Sequence, residues 1–355
     1  MLRRSPRALA LALGVVLAAL LLASLRFGST RVVEDLGTAL RGIAALLGLG
    51  EPLAGSRQAI VELRLWRGLT AAGVGAALGL SGALVQGIFR NALASPGVIG
   101  ISGGASLGAV IAVLFVGGYG LRLQIADPHG AGPWLVPLAA FAGALVTAFV
   151  VYRLASSHGR VSVPALLLIG IAVNTLLAGV QQLAQSLVLD DLEASRAILA
   201  WTFGTLDDRA AWHAAVAWGG ALVALVAWPF VAWELDLVQG GPDDAAALGV
   251  DVARVRVVTL VAAALAAAAA VSVAGQIGFV GLIVPHIVRL LSGPGHRTLL
   301  PLSGLVGAVV LVSADVAQMA LFPGFGVQPG VLMSLVGGPF FVWLLWSKRR
   351  EIAVW

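Results

Sequence analysis

The string GLSG at 79–82 sets Ser81 between glycines, the arrangement of an intramembrane serine protease whose hydroxyl proton is taken by a histidine on another helix. Of the five histidines, only His286 stands near a long apolar stretch, so it is the one available base. The same residues have a plainer reading. Gly75, Ala76, Ala77, Gly79, Ser81, Gly82 and Ala83 form a run of small side chains that lets helix backbones approach closely. Asp315 is a second candidate, because an ionisable group inside an apolar run points to function. Gln318 lies three residues on, shares its helix face and can hydrogen-bond it. That suits anchoring; a proton relay would need further acids or histidines at the same depth, and the sequence offers none. Asn174, Gln181 and Gln185 are spaced by seven and four, so they share one face of a helix. They either line a polar pathway or tie helices together.

The elements that must position these groups are membrane helices. The 355 residues are 59% apolar and 11% charged, against about 45–50% and about 25% in soluble domains. Lys348 is the only lysine and no GxxxxGK[ST] string occurs, so ATP chemistry must come from another chain. The absence of cysteine excludes disulfides, thiolate metal sites and cysteine nucleophiles. A helix needs roughly 20 apolar residues to cross a hydrocarbon core of about 30 Å. Ten windows qualify: 8–25, 68–89, 98–118, 133–152, 163–189, 211–233, 257–274, 277–291, 299–321 and 329–346. Two longer apolar runs are divided by Gly275, Gln276 and Gly278 and by Pro323, Gly324, Gly326 and Pro329. The window at 277–291 is short and must be enclosed by its neighbours. Arg3, Arg4 and Arg7 before an apolar run resemble a signal peptide, but Arg26 follows with no small-residue cleavage site and nine more windows come after it.

Ten crossings put both termini on one side, which then carries thirteen of the 22 basic residues and the more positive balance. By the positive-inside rule both ends are cytoplasmic. The reading is an all-α membrane protein, one multi-pass domain over 1–355, with an external loop near 26–63 and an internal loop near 235–254. In the segment at 90–109, Pro96 blocks a continuous helix, glycines allow tight turns, and Asn91 and Ser95 can cap freed backbone groups. This predicts a broken, re-entrant element. A similar passage from small residues to a Gly/Pro break recurs at 266–288, a faint sign of two related halves. After the sixth window, GGPDDAAALGV places Asp243 and Asp244 in the first turn of a short helix, where negative charge suits the helix dipole.

These strings in this order resemble the FecCD-type permeases, the membrane subunits of type II ABC importers for iron-siderophore complexes, haem and vitamin B12. The landmarks are RLWR at 64–67, GLSGALVQGIFRNALASPGVIGISGGA from 79, LLLIGIAVN at 166–174, WTFGTL at 201–206, GQIGFVGLIVPHIVRLLSGPGHRTLLP at 275–301, and GGPFFVWLL at 337–345. The resemblance implies about ten helices in a homodimer or close heterodimer in the cell inner membrane. It also implies two cytoplasmic P-loop ATPase subunits holding ATP and Mg, and a periplasmic or lipid-anchored binding protein outside. No metal, cofactor or nucleic acid is implied for this chain. Arg64 and Arg67 match residues that dock the binding protein, and Asp243, Asp244, Leu248 and Gly249 match the segment that enters the ATPase. Ser162, Val163 and Pro164 match a cytoplasmic gate. The fifth and tenth helices would line a path at the dimer axis, with Asn174, Gln181 and Gln185 toward it. Gln318 stands where the family often has arginine, GVQPG at 326–330 departs from ELPVG, and Trp66 replaces a proline. Iron-siderophore is the expected cargo, with haem and vitamin B12 as alternatives. An ion-coupled secondary transporter or the protease would need Asp315 or Ser81 respectively.

Overall fold

The computed structural model describes residues 5–27, 35–116, 132–157, 160–161, 163–188 and 190–347. Thirteen helices are present among them. Ser5 caps α1 (Pro6–Arg26) by accepting the Ala8 amide at 3.2 Å, with Pro6 in the first turn where its missing N–H costs nothing. Asp35 caps α2 (Leu36–Leu46) in the same way, through the Thr38 amide at 2.5 Å. Helix α3 (Arg57–Phe89) has 33 residues, about 50 Å of rise, and stops at Arg90 in a left-handed conformation. A 3-10 turn (Pro96–Ile99) follows, then Gly100 at φ 86° and α4 (Ile101–Val116), so the interruption expected at Pro96 is a tight turn. Next come α5 (Gly132–Ala155), the paired two-residue strands β1 (Ser156–Ser157) and β2 (Arg160–Val161), α6 (Val163–Ser186) and α7 (Leu192–Thr202). The chain continues through α8 (Ala211–Gly240), α9 (Pro242–Ala247), α10 (Val252–Ala274), α11 (Val280–Ser292), α12 (His296–Leu321) and α13 (Pro329–Ser347).

The ten apolar windows fall on α1, α3, α4, α5, α6, α8, α10, α11, α12 and α13. Seven of these (all but α4, α11 and α13) are long and apolar enough to cross a membrane unaided. Helix α11 starts three residues later than its window because Gly275 and Phe279 both have positive φ, 70° and 65°. Only 13 residues long, it is buried against α3 and α12 by Val280, Val284 and Val288. That enclosure keeps its irregular entry away from lipid.

Helix α3 is the axle of the fold, packed against α8, α10, α11 and α12 and buried continuously from Thr70 to Phe89. Its small residues make this possible. A Cβ on Gly75 would overlap the Gly307 carbonyl oxygen of α12, and a Cβ on Gly307 would overlap that of Gly75, so the two backbones touch. Ser81 is fully buried and donates its hydroxyl to the Ala263 carbonyl of α10 at 2.7 Å. Its place is a helix contact. On the other flank α4 packs against α5, and α6 rests on α4, α5 and the 3-10 turn while leaving Leu168, Leu176 and Leu183 exposed.

Candidate functional site

Helices α3 and α12 run antiparallel, with Arg67 beside Asp315 at one end and Gly87 beside His296 at the other. These two ends carry most of the polar side chains the sequence singled out.

At the Arg67 end, the guanidinium donates to Asp315 from Nη2 at 2.7 Å and from Nε at 3.0 and 3.1 Å, and from Nη1 to Asp207. Asp315 is 1% exposed, Arg67 12% and Asp207 52%, so the inner bond is dry and the outer one wet. Gln318 also reaches Asp315, at 3.3 Å. The sequence paired Asp315 with Gln318; the structure adds a full counter-ion 248 residues away. A carboxylate fixed by a forked guanidinium is built for anchoring. Arg64 is buried too, donating to the carbonyls of Leu25 at 2.8 Å and Arg26 at 3.1 Å, while Trp66 donates to Glu62 at 3.3 Å. Both arginines thus stand in the floor of an open cleft of about 500 Å³, also lined by Asp207, Gln318, Phe322 and Gly326.

At the His296 end, Pro242 opens α9 and Asp243 and Asp244 occupy its first turn, exposed. Leu248 is 69% exposed, and Gly249 at φ 87° lets the chain reverse so that the Val250 amide returns to the Ala245 carbonyl at 3.0 Å. Asp251 then caps α10 through the Arg254 amide at 3.0 Å. The root of α9 is tied to the axle. Asp236 accepts from the His296 backbone amide at 2.9 Å and meets its Nδ1 at 2.6 Å. Gln239 donates to the Gly87 carbonyl at 3.0 Å, and Arg289 to Gln86 at 2.5 Å. Sequence reasoning assigned no role to Asp236, Gln239, Arg289 or His296, although the last two lie in one of its landmark strings. A polar residue in the last turn of a membrane helix was the available signal.

A third set of polar side chains lies on α6, which packs on α4, α5 and the 3-10 turn. Asn174 donates to the Gly97 carbonyl at 2.9 Å. Gln181 accepts from Ser106 of α4 at 2.7 Å and donates to Thr202 of α7 at 3.0 Å. Both amides therefore tie α6 to neighbouring elements of its own chain. Gln185 is half-buried one turn further on. Of the gate residues, Ser162 lies outside the described residues, Val163 opens α6, and Pro164 is exposed in its first turn.

The sequence signature of the FecCD transport family spans residues 11–347. The chain is a FecCD-family permease. It is 41% identical over 316 residues to the cobalamin import system permease BtuC of Halobacterium salinarum, covering 87% of this chain and 78% of that one. It is 40% identical over 297 residues to the vitamin B12 import permease BtuC of Vibrio cholerae, covering 81% and 83%. The hemin transport permease HmuU of Yersinia pestis is 37% identical over 293 residues, covering 82% of this chain and 84% of that protein. A solved inward-facing structure of a metal-chelate type ABC transporter superposes with a TM-score of 0.74 at 27% identity, over 96% of this chain and 99% of that one. FecCD permeases are multi-pass membrane proteins that serve as transport subunits of ABC importers, so this chain is a transport subunit and not an enzyme. The GLSG string is accounted for by packing.

Proposed function

We propose that this permease carries a large, already chelated metal cofactor across the cell inner membrane, with a corrinoid of the vitamin B12 class as its first cargo. The observation that supports the cargo is the pair of relatives at 41% and 40% identity named for cobalamin, ahead of the hemin permease at 37% and the iron-uptake permease FeuC of Bacillus subtilis at 33%. The commoner iron-siderophore cargo expected from the sequence becomes the second arm of the test. Both termini face the cytoplasm, so the α9 end is internal and the Arg67 cleft external. ATP and Mg reside on two partner ATPase subunits that receive α9 through Asp243, Asp244, Leu248 and Gly249. A second permease copy packs on the exposed apolar faces of α6 and α13. A substrate-binding protein docks at the outer cleft floored by Arg64 and Arg67, where charge steers encounter more than it adds affinity. Ser162, Val163 and Pro164 form the inner constriction. A bulky chelate needs a weakly polar lining that lets it leave, and the surface α6 exposes is mostly aliphatic and small residues broken by Thr175, Gln182 and Ser186.

Reconstitution of the permease with its ATPase and binding protein in proteoliposomes tests this reading. ATP-dependent uptake of cyanocobalamin in preference to a ferric siderophore or hemin is expected. Uptake of the ferric siderophore alone would transfer the assignment to iron chelates. Uphill uptake by the permease without the ATPase would overturn the whole scheme.

A further inference from the structure

The string WTFGTL at 201–206 and the Asp207 that follows it form a junction touched by four other parts of the molecule. The Trp201 carbonyl accepts from the Gln276 amide at 3.3 Å, at the break between α10 and α11. Thr202 accepts from Gln181 of α6 at 3.0 Å. Gly330, in the first turn of α13, has its Cα pressed so close to the Phe203 carbonyl that a Cβ there would overlap the oxygen. Asp207 reaches back to Arg67 of α3, its amide held in a local turn by the Thr205 hydroxyl at 3.1 Å. Trp201, Gly204, Thr205 and Leu206 are buried.

Three of these four attachments run through backbone carbonyls or partly buried side chains, although the ring of Phe203 itself is exposed. The fourth, Asp207 on Arg67, is the one open to water: Asp207 is 52% exposed in a cleft of about 500 Å³, whereas the Arg67–Asp315 bond beneath it is sealed. Arg67 keeps its charge compensated by Asp315 when Asp207 leaves, so the outer bond can open without stranding a buried charge. A group that takes over Nη1 must be a hydrogen-bond acceptor, and a carboxylate on a docked protein is the chemistry that competes on equal terms with Asp207.

We propose that Asp207 is a releasable latch. While it holds Arg67, the 201–207 junction is clamped against α3. When a carboxylate entering the cleft displaces it, the junction loosens and the change passes to the start of α13 through the Phe203–Gly330 contact. The proposal rests on the reading above that a protein docks at the external cleft, and its test, which needs neither cargo, docking protein nor ATP, can fail while that reading stands.

Amide hydrogen exchange is measured on the full chain in nanodiscs, wild type beside Asp207→Asn. Asparagine keeps the size and loses the charge. The latch predicts about tenfold faster exchange at residues 203–209 and in the first turn of α13, with no change in α12 around Asp315. Asp207→Glu is expected to restore wild-type rates, and Glu62→Gln, an exposed carboxylate on α3 outside the cleft lining, to leave them unchanged. Raising salt from 0.05 to about 0.5 M is expected to speed exchange at the junction in the wild type only, because the exposed bond is screened and the buried one is not. Rates within twofold of wild type in Asp207→Asn would overturn the proposal. So would faster exchange spread through α3 and α12, which would mark Asp207 as a general structural support.

Discussion

Replacing Asp315 with asparagine removes the fully buried charge of the Arg67–Asp315 pair and leaves the largely buried guanidinium in place. Arg67 then loses the charge that accepts three contacts between 2.7 and 3.1 Å, faces a neutral amide in its place, and keeps Asp207, which is half in water, as its carboxylate partner. Breaking a buried pair from one side costs about 3–5 kcal/mol, most of it the desolvation of the surviving ion. Single interhelical hydrogen bonds in membranes average about 0.6 kcal/mol, so this site stands several-fold above the background. The double variant Arg67→Met/Asp315→Leu buries no charge and fills the same space, so it is expected to lose less than Asp315→Asn alone. Equilibrium unfolding of Asp315→Asn and the double variant beside the wild type in mixed detergent micelles makes this comparison, and the single variants Arg67→Met and Asp315→Leu complete the cycle. Asp315→Asn within about 1 kcal/mol of wild type would show that Arg67 is compensated elsewhere, and additive single losses would show that the two residues are not coupled.

Gly75→Ala forces the α3 and α12 backbones apart and is expected to cost about 3 kcal/mol in the same unfolding assay, whereas Gly179→Ala on α6, where a Cβ meets no atom, is expected to be neutral or slightly stabilising. Asp243→Arg with Asp244→Arg leaves two exposed positions exposed, so the protein should insert and unfold as wild type while ATP hydrolysis by the assembled transporter no longer drives uptake; retained coupling would remove these residues from the ATPase contact. The Thr38 amide holds the Asp35 carboxyl below its ordinary value, so the cap on α2 is fully present above about pH 4 and is lost as the pH falls through the lowered value. Exchange protection in α2, corrected for intrinsic rates, should therefore hold above about pH 4 and drop as the pH falls below it in the wild type, and be low throughout in Asp35→Ala.

The ten apolar windows and the short α9 were legible because each rests on local chemistry: runs without charge, a proline that stops a helix, aspartates in a first turn. The start of α11 was read less well, since Phe279 adopts a left-handed conformation that its side chain gives no reason to expect. The pairing of Arg67 with Asp315 was beyond local reading. Neither residue has an oppositely charged neighbour one turn away on its own helix, and only the antiparallel contact of α3 with α12, set by glycines such as Gly75 and Gly307, brings them together. The sequence therefore gave the two residues separate roles, one in docking and one inside the bilayer. For Asn174 and Gln181 the spacing established a shared face but not what that face meets. The structure supplies Gly97, Ser106 and Thr202.

Those partners divide the helices into two kinds of attachment. The contacts of α3 with α11 and α12 are backbone against backbone through glycine, and no side-chain rotation can release them. Helix α6 meets the turn before α4 in the same manner at a single point, Gly170 against the Val98 carbonyl. Its other named ties to the 3-10 turn, α4 and α7 are the hydrogen bonds of Asn174 and Gln181, each of the order of 0.6 kcal/mol and each able to be exchanged for another partner. A transporter that alternates between two openings needs one body that keeps its shape and one that can shift against it at small cost. The axle around α3 meets the first requirement and α6, carrying the exposed apolar face, meets the second. It follows that substitutions of Gln181 and Asn174 should change the balance of the two openings more than they change stability, and substitutions of Gly75, Gly79, Gly82 or Gly307 the reverse.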